Sequence, residues 1–117
     1  MTHSDIQISG HDFEVTQAIQ DIIHKKFERL LNHYGHFITN SEVLLKIDND
    51  HRNIAESNVA VPDKTINASA STDDMYRSID EMVNKLKTQL EKYKEIHLGH
   101  QKAVRAEQQH RHEETEE

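Results

Sequence analysis

The sequence of 117 residues contains no cysteine and no tryptophan, a single proline and only three glycines. Without cysteine there is no disulfide, no thiolate metal site and no cysteine nucleophile. The glycines stand alone at positions 10, 35 and 99, so no glycine-rich phosphate loop exists. No stretch of about 18 apolar residues occurs. The opening Met1-Thr2-His3-Ser4-Asp5 lacks a basic segment followed by an apolar run, so the expectation is a cytoplasmic protein, neither secreted nor membrane-spanning. Positive charge is also scarce. Fourteen Lys and Arg face 21 Asp and Glu, a net charge of −7, and residues 1–100 alone carry 11 basic against 16 acidic side chains. Any RNA binding must then come from a local basic patch, because the global field repels phosphate. The ten histidines add positive charge on mild acidification or beside a phosphate.

What is present is a regular alternation of short strands and long helices. Asp5 to Ser9 alternates as a strand ending at Gly10. Thr16 is placed to cap a helix whose Ile19, Ile22, Ile23, Phe27, Leu30 and Tyr34 recur every three or four residues until Gly35. Glu42 to Asp48 alternates with Val43, Leu45 and Ile47 inward, and a further strand runs from about Asn53 to Val61. Pro62-Asp63-Lys64 reads as the turn of a hairpin, after which Ile66, Ala68 and Ala70 mark the inner side of the last strand. Small residues there leave room for a helix to lie close to the sheet. A second long helix follows, with Thr72, Asp73 and Asp74 each a candidate cap.

The order β-α-β-β-β-α predicts one α+β domain over residues 1–98. In it a four-stranded sheet has its first strand parallel to a neighbour, the rest a meander, and both helices on one face. Residues 99–117 are polar and end in Glu113-Glu114-Thr115-Glu116-Glu117. They contain almost nothing that builds a core and read as a disordered tail or a frayed extension of the last helix.

Catalytic chemistry finds little support. No Ser, His and Asp fall in a nucleophile-elbow context, and Asp73-Asp74 is explained by its place at a helix start. His33 with His36, His97 with His100, and His110 with His112 are close in sequence, but none has a zinc-site spacing, so no metal and no cofactor is expected. The basic residues remain. At about 100° per residue, Ile79, Met82, Val83, Leu86, Leu90 and Tyr93 form one apolar stripe on the second helix. Lys85 and Lys92 project on one flank, with Arg77 further round, while Lys87 and Lys94 project on the other. On periodicity alone these lysines read as a solvated face interleaved with Glu81, Glu91 and Glu95. The sharper reading brings Lys25, Lys26 and Arg29 of the first helix opposite Arg77, Lys85 and Lys92 across a groove that follows a phosphate backbone.

Motifs favour the sharper reading. Asp74-Met75-Tyr76-Arg77-Ser78-Ile79-Asp80 and Lys85-Leu86-Lys87-Thr88-Gln89-Leu90-Glu91-Lys92-Tyr93-Lys94 resemble the signature of the short ribosome hibernation promoting factors, the family that includes ribosome-associated inhibitor A. Val15-Thr16, Ala18-Ile19, Lys26-Phe27, Leu30 and Lys46 match the same family, so the resemblance runs from about Ile6 to Lys94. It implies a non-enzymatic factor that binds 16S rRNA of the 30S subunit and 70S ribosome at the decoding region, in the mRNA and tRNA channel, and silences translation in slow growth or stress. Neither DNA nor a membrane is an implied partner, and a monomer is the expectation off the ribosome. By the resemblance, Lys26, Arg29, Lys46, Lys85, Lys92 and Lys94 approach rRNA phosphates, with Lys25 and Arg77 added from the patch and Lys87 from the other flank of the second helix. Met75 and Tyr76 are expected to pack at the helix entrance.

The chain departs from the family at Thr88 and Gln20, where many members carry a basic residue. Its length implies a short form, and its acidic-ended tail is more like the inhibitor A type than the type that promotes 100S ribosome dimers. Two other readings stay open. A double-stranded RNA-binding domain has a similar layout, but usually a basic start to its final helix, where this chain has Asp73-Asp74. An acidic protein-binding adaptor also fits the net charge.

Overall fold

The structure, a computed structural model, describes residues 6–97. The expectations for the tail 99–117, for the domain boundary at 98, and for His100, His110 and His112 lie outside the described residues. Six elements occur in the expected order: β1 (Gln7–His11), α1 (Gln17–Tyr34), β2 (Asn40–Ile47), β3 (Asn53–Val61), β4 (Lys64–Thr72) and α2 (Met75–His97). The sheet order is β1-β2-β3-β4, with β1 parallel to β2 and the remaining pairs antiparallel. This is the α+β arrangement read from the sequence.

Alternation decides which face of the sheet is covered. Ser41, Val43, Leu45, Ala55, Ser57, Val59, Val61, Ile66, Ala68, Ala70 and Thr72 are buried, and their strand neighbours point to the other, open face. Both helices therefore lie on one side. The whole predicted stripe of α2 is buried, as are Ile19, Ile23, Phe27, Leu30 and Tyr34 of α1. Ile22 is only half-buried, and Leu31 and Phe37 join the core instead. Each large side chain sealed in this layer contributes about 1.5–3 kcal/mol.

Local chemistry fixes the ends of the elements. The Thr16 hydroxyl accepts the Ile19 N–H at 3.2 Å, as a cap should. Among the three candidates before α2, Asp74 is the cap, its carboxylate accepting the Arg77 N–H at 3.2 Å. Thr72 is engaged elsewhere. Its hydroxyl lies 2.7 Å from that of the fully buried Ser78, which donates to the Asn53 carbonyl at 2.7 Å. This pins the start of α2 to β3 and β4.

One element end differs from expectation and another is reached in an unexpected conformation for glycine. β1 does not stop at Gly10 but continues to His11. A Cβ at Gly10 would lie 2.3 Å from the Phe13 carbonyl oxygen and 2.9 Å from Val15 Cγ2, so glycine serves a close chain reversal here rather than a strand end. Gly35 does end α1, but with φ of −57°, so it is not a left-handed cap.

Candidate nucleic-acid interface

The two helices run side by side, and their cross-contacts fix which flank of α2 faces α1. Lys26 Nζ lies 2.9 Å from Asp80 Oδ1, and the Tyr34 hydroxyl donates to Glu91 Oε1 at 2.5 Å. Lys94 Nζ stands 5.8 Å from the centre of the Tyr34 ring, a cation–π contact. The flank carrying Asp80, Lys87, Glu91 and Lys94 is thus the one turned to α1. Between the helices lies an open cavity of about 470 Å³ whose lining includes Lys26, Arg29, His33, Asn84 and Lys87.

The opposite flank turns to the free edge of β4. Lys85 Nζ donates to the Ser69 carbonyl at 2.8 Å, and the Gln89 amide donates to the Asn67 carbonyl at 2.6 Å. Arg52, from the β2–β3 turn, donates to the Ser71 carbonyl at 2.9 Å. Three alternate carbonyls of an edge strand are therefore occupied by side chains, which blunts pairing with another strand.

The expected cluster is accordingly divided. Lys26, Arg29 and Lys87 meet at the groove, and Lys94 lies beside it. Lys85 is committed to the β4 edge and does not reach across to α1. Arg77 pairs with Glu81 at 3.6 Å, one turn further along the same helix. Lys46 lies on the open face of the sheet, away from both helices, with its ammonium 3.2 Å from Glu56. Among the described residues, Lys25, Arg29, Lys87 and Lys92 have no carboxylate within salt-bridge distance. They carry the least compensated charge of the helical layer.

The helix entrance needs a correction. Met75 is buried, but Tyr76 is 45 % exposed, because the cap at Asp74 rotates it off the core-facing stripe. Reasoning from sequence also missed Asn32, His33, Tyr34 and Asn84 as groove residues. Their helical phase relative to Lys26 and Lys87 was the available signal.

At the far end of the helices an aromatic and histidine cluster closes the core. Phe37 meets Tyr93 edge to face at 5.4 Å, and His97 stacks on Tyr93 at 4.3 Å. His36 packs on Phe37 at 4.4 Å. Among the described residues no group of three or more His, Asp and Glu side chains is placed to hold a metal ion. No helix there is long and apolar enough to cross a membrane. Burial, and then the bond to Glu91, pushes the Tyr34 phenol well above its ordinary pKa. Burial, and then Asp63, raises that of Tyr93.

The comparisons say which known proteins share this two-layer β-α-β-β-β-α domain. Residues 6–98 match the family model described as Sigma 54 modulation protein / S30EA ribosomal protein. The chain belongs to this family, the ribosome hibernation factors. It is 36 % identical over 90 residues to the ribosome hibernation promoting factor of Pseudomonas putida, covering 77 % of this chain and 86 % of that one. A ribosomal subunit interface protein from Coxiella burnetii shares the fold with a TM-score of 0.70 and 36 % identity, over 76 % of this chain and 96 % of that one. The N-terminal domain of Thermus thermophilus protein Y superposes with a TM-score of 0.66 at 29 % identity, over 74 % and 94 % of the two chains.

Proposed function

We propose that this chain silences bacterial ribosomes by docking its helical layer on 16S rRNA of the small subunit, in the decoding-region channel used by mRNA and tRNA. The observation that carries this reading is the local excess of cations on an acidic protein. Lys25, Arg29, Lys87 and Lys92 stand without carboxylate partners among the described residues, all on the helical layer, with Arg29 and Lys87 lining the groove. Phosphate contacts of this type bind by charge and shape, and weaken steeply with salt. The protein works by occupancy in the cytoplasm, as a monomer off the ribosome, and needs no reaction of its own.

The acidic-ended sequence of residues 99–117 favours an outcome like that of inhibitor A, in which 70S particles stay single. A second reading is promotion of 100S dimers, the outcome of the other short type that the sequence resembles. Sucrose-gradient co-sedimentation with vacant 30S, 50S and 70S particles at two salt concentrations tests both. Salt-sensitive association with 30S and 70S supports the proposal. A shift of 70S to 100S selects the dimer-promoting reading, and no association with any particle overturns both in favour of a protein-binding adaptor.

A further inference from the structure

The groove between α1 and α2 is more than a row of cations. One end is closed by the Lys26–Asp80 pair and the other by the bond from Tyr34 to Glu91. These two clasps stand about 12 Å apart along α1. The cavity between them, about 470 Å³, falls within the range of about 300–1,000 Å³ typical of sites that enclose a small organic group. Leu30 and Val83 give it an apolar floor. Arg29 and His33, one helical turn apart, line it with planar side chains from α1, Lys87 lines it with a cation from α2, and Asn32 and Asn84 contribute one amide from each helix.

A groove that held only a sugar-phosphate backbone would call for charge and little else. Duplex RNA keeps its bases stacked and presents phosphates and hydroxyls. Guanidinium and imidazole planes, by contrast, are surfaces on which an unstacked base lies, and amides match the donors and acceptors of a base edge. We infer that this cavity receives one unstacked nucleotide of a single-stranded RNA segment, with its base against Arg29 and His33 over the Leu30–Val83 floor and its phosphate on Lys87. The assignment rests on the proposed rRNA-binding function and adds to it the kind of RNA element that the groove takes. Because each clasp pairs its own polar groups, Arg29 and Lys87 are the charges left to the ligand.

The test fills the cavity without removing a cation. Asn84 is an exposed rim residue, and Asn84→Trp is expected to weaken association with 30S particles by about tenfold, the scale of one lost base-stacking contact, with the salt dependence unchanged. Asn32→Trp, which fills the same space from α1, gives the same result if Asn84→Trp lowers the thermal midpoint. With the free protein, fluorescence anisotropy should show a single-stranded RNA pentamer binding at least fivefold more tightly than a blunt RNA duplex, and that preference should vanish in both tryptophan variants. Wild-type affinity of both variants for 30S and for the pentamer overturns the inference. Binding of AMP, CMP, GMP or UMP as tight as that of the pentamer also overturns it, moving the occupant to a free nucleotide. The double variant Arg29→Glu, Lys87→Glu separates this from the underlying function. If it still associates with 30S at wild-type strength, docking does not run through the groove and the nucleotide assignment falls while ribosome association stands; if it loses association while both tryptophan variants keep it, the groove docks by charge and only the nucleotide assignment falls.

Discussion

Lys26 and Asp80 form an ion pair of 2.9 Å across the two helices, so a lysine that the family resemblance assigns to rRNA is held by a carboxylate in the free protein. A phosphate must compete with Asp80 for it. Both partners are partly exposed, and a surface pair of this type contributes only about 0–1 kcal/mol to stability.

Asp80→Asn should therefore leave the fold nearly as stable while freeing Lys26. Affinity for 30S is expected to rise about two- to fivefold at low salt, with a steeper salt dependence from one more displaced counterion. Unchanged affinity and slope in filter binding would place Lys26 outside the interface.

The β4 edge allows a prediction about self-association. Lys85→Ala with Gln89→Ala uncovers the carbonyls of Ser69 and Asn67, and an exposed edge is a template for another strand. Light scattering should show oligomers that grow with concentration, alongside a loss of about 1–2 kcal/mol for the two hydrogen bonds. For the same reason, charge reversal at Lys85 would damage the edge whether or not that lysine touches RNA. Lys92→Glu is the cleaner probe of the patch, and it should weaken ribosome association without changing the oligomeric state.

Alkaline pH should destabilise the protein through its buried phenols. The folded-state pKa of Tyr34 is raised above the unfolded value of about 10, so the folded state holds the proton more tightly. The contribution is complete below pH 10 and is lost as pH rises beyond it. Tyr34→Phe should cost about 1 kcal/mol at pH 7 and reduce the loss of stability between pH 9 and pH 11 in urea titrations. Part of the loss persists in the variant, because the Tyr93 phenol is raised as well.

Gly10→Ala tests the chain reversal after β1. The added methyl would lie 2.3 Å from a backbone oxygen, which no side-chain adjustment relieves. A destabilisation of about 2–4 kcal/mol is expected by chemical denaturation, with ribosome association retained wherever the protein remains folded.

The elements themselves were legible because each carries one clean period. β3 and β4 alternate with their inner positions held by Ala55, Val59, Ile66, Ala68 and Ala70, and the apolar stripe of α2 never breaks from Ile79 to Tyr93. The extent of β1 was less legible, since Gly10 signals a turn as readily as a close approach inside a strand. The site was legible only by halves. The stripe shows that Lys85 and Lys87 lie on opposite flanks, but which flank meets α1 depends on the hand of the β1-α1-β2 connection, which periodicity does not carry. Lys46 shows a different gap. Its alternation with Leu45 and Ile47 already placed it on the open face, yet the motif match grouped it with the helical lysines.

The pairing of β1 with β2 also has a consequence in time. β2, β3 and β4 are joined by short turns and can zip together locally, whereas Gln7 must find Glu42 across the whole of α1. Closing that long loop carries an entropic cost that the hairpins escape. β1 has five residues, four of them exposed, and sits at the sheet margin. It is the strand expected to join last during folding, and its amide hydrogens should be the first in the sheet to exchange with solvent.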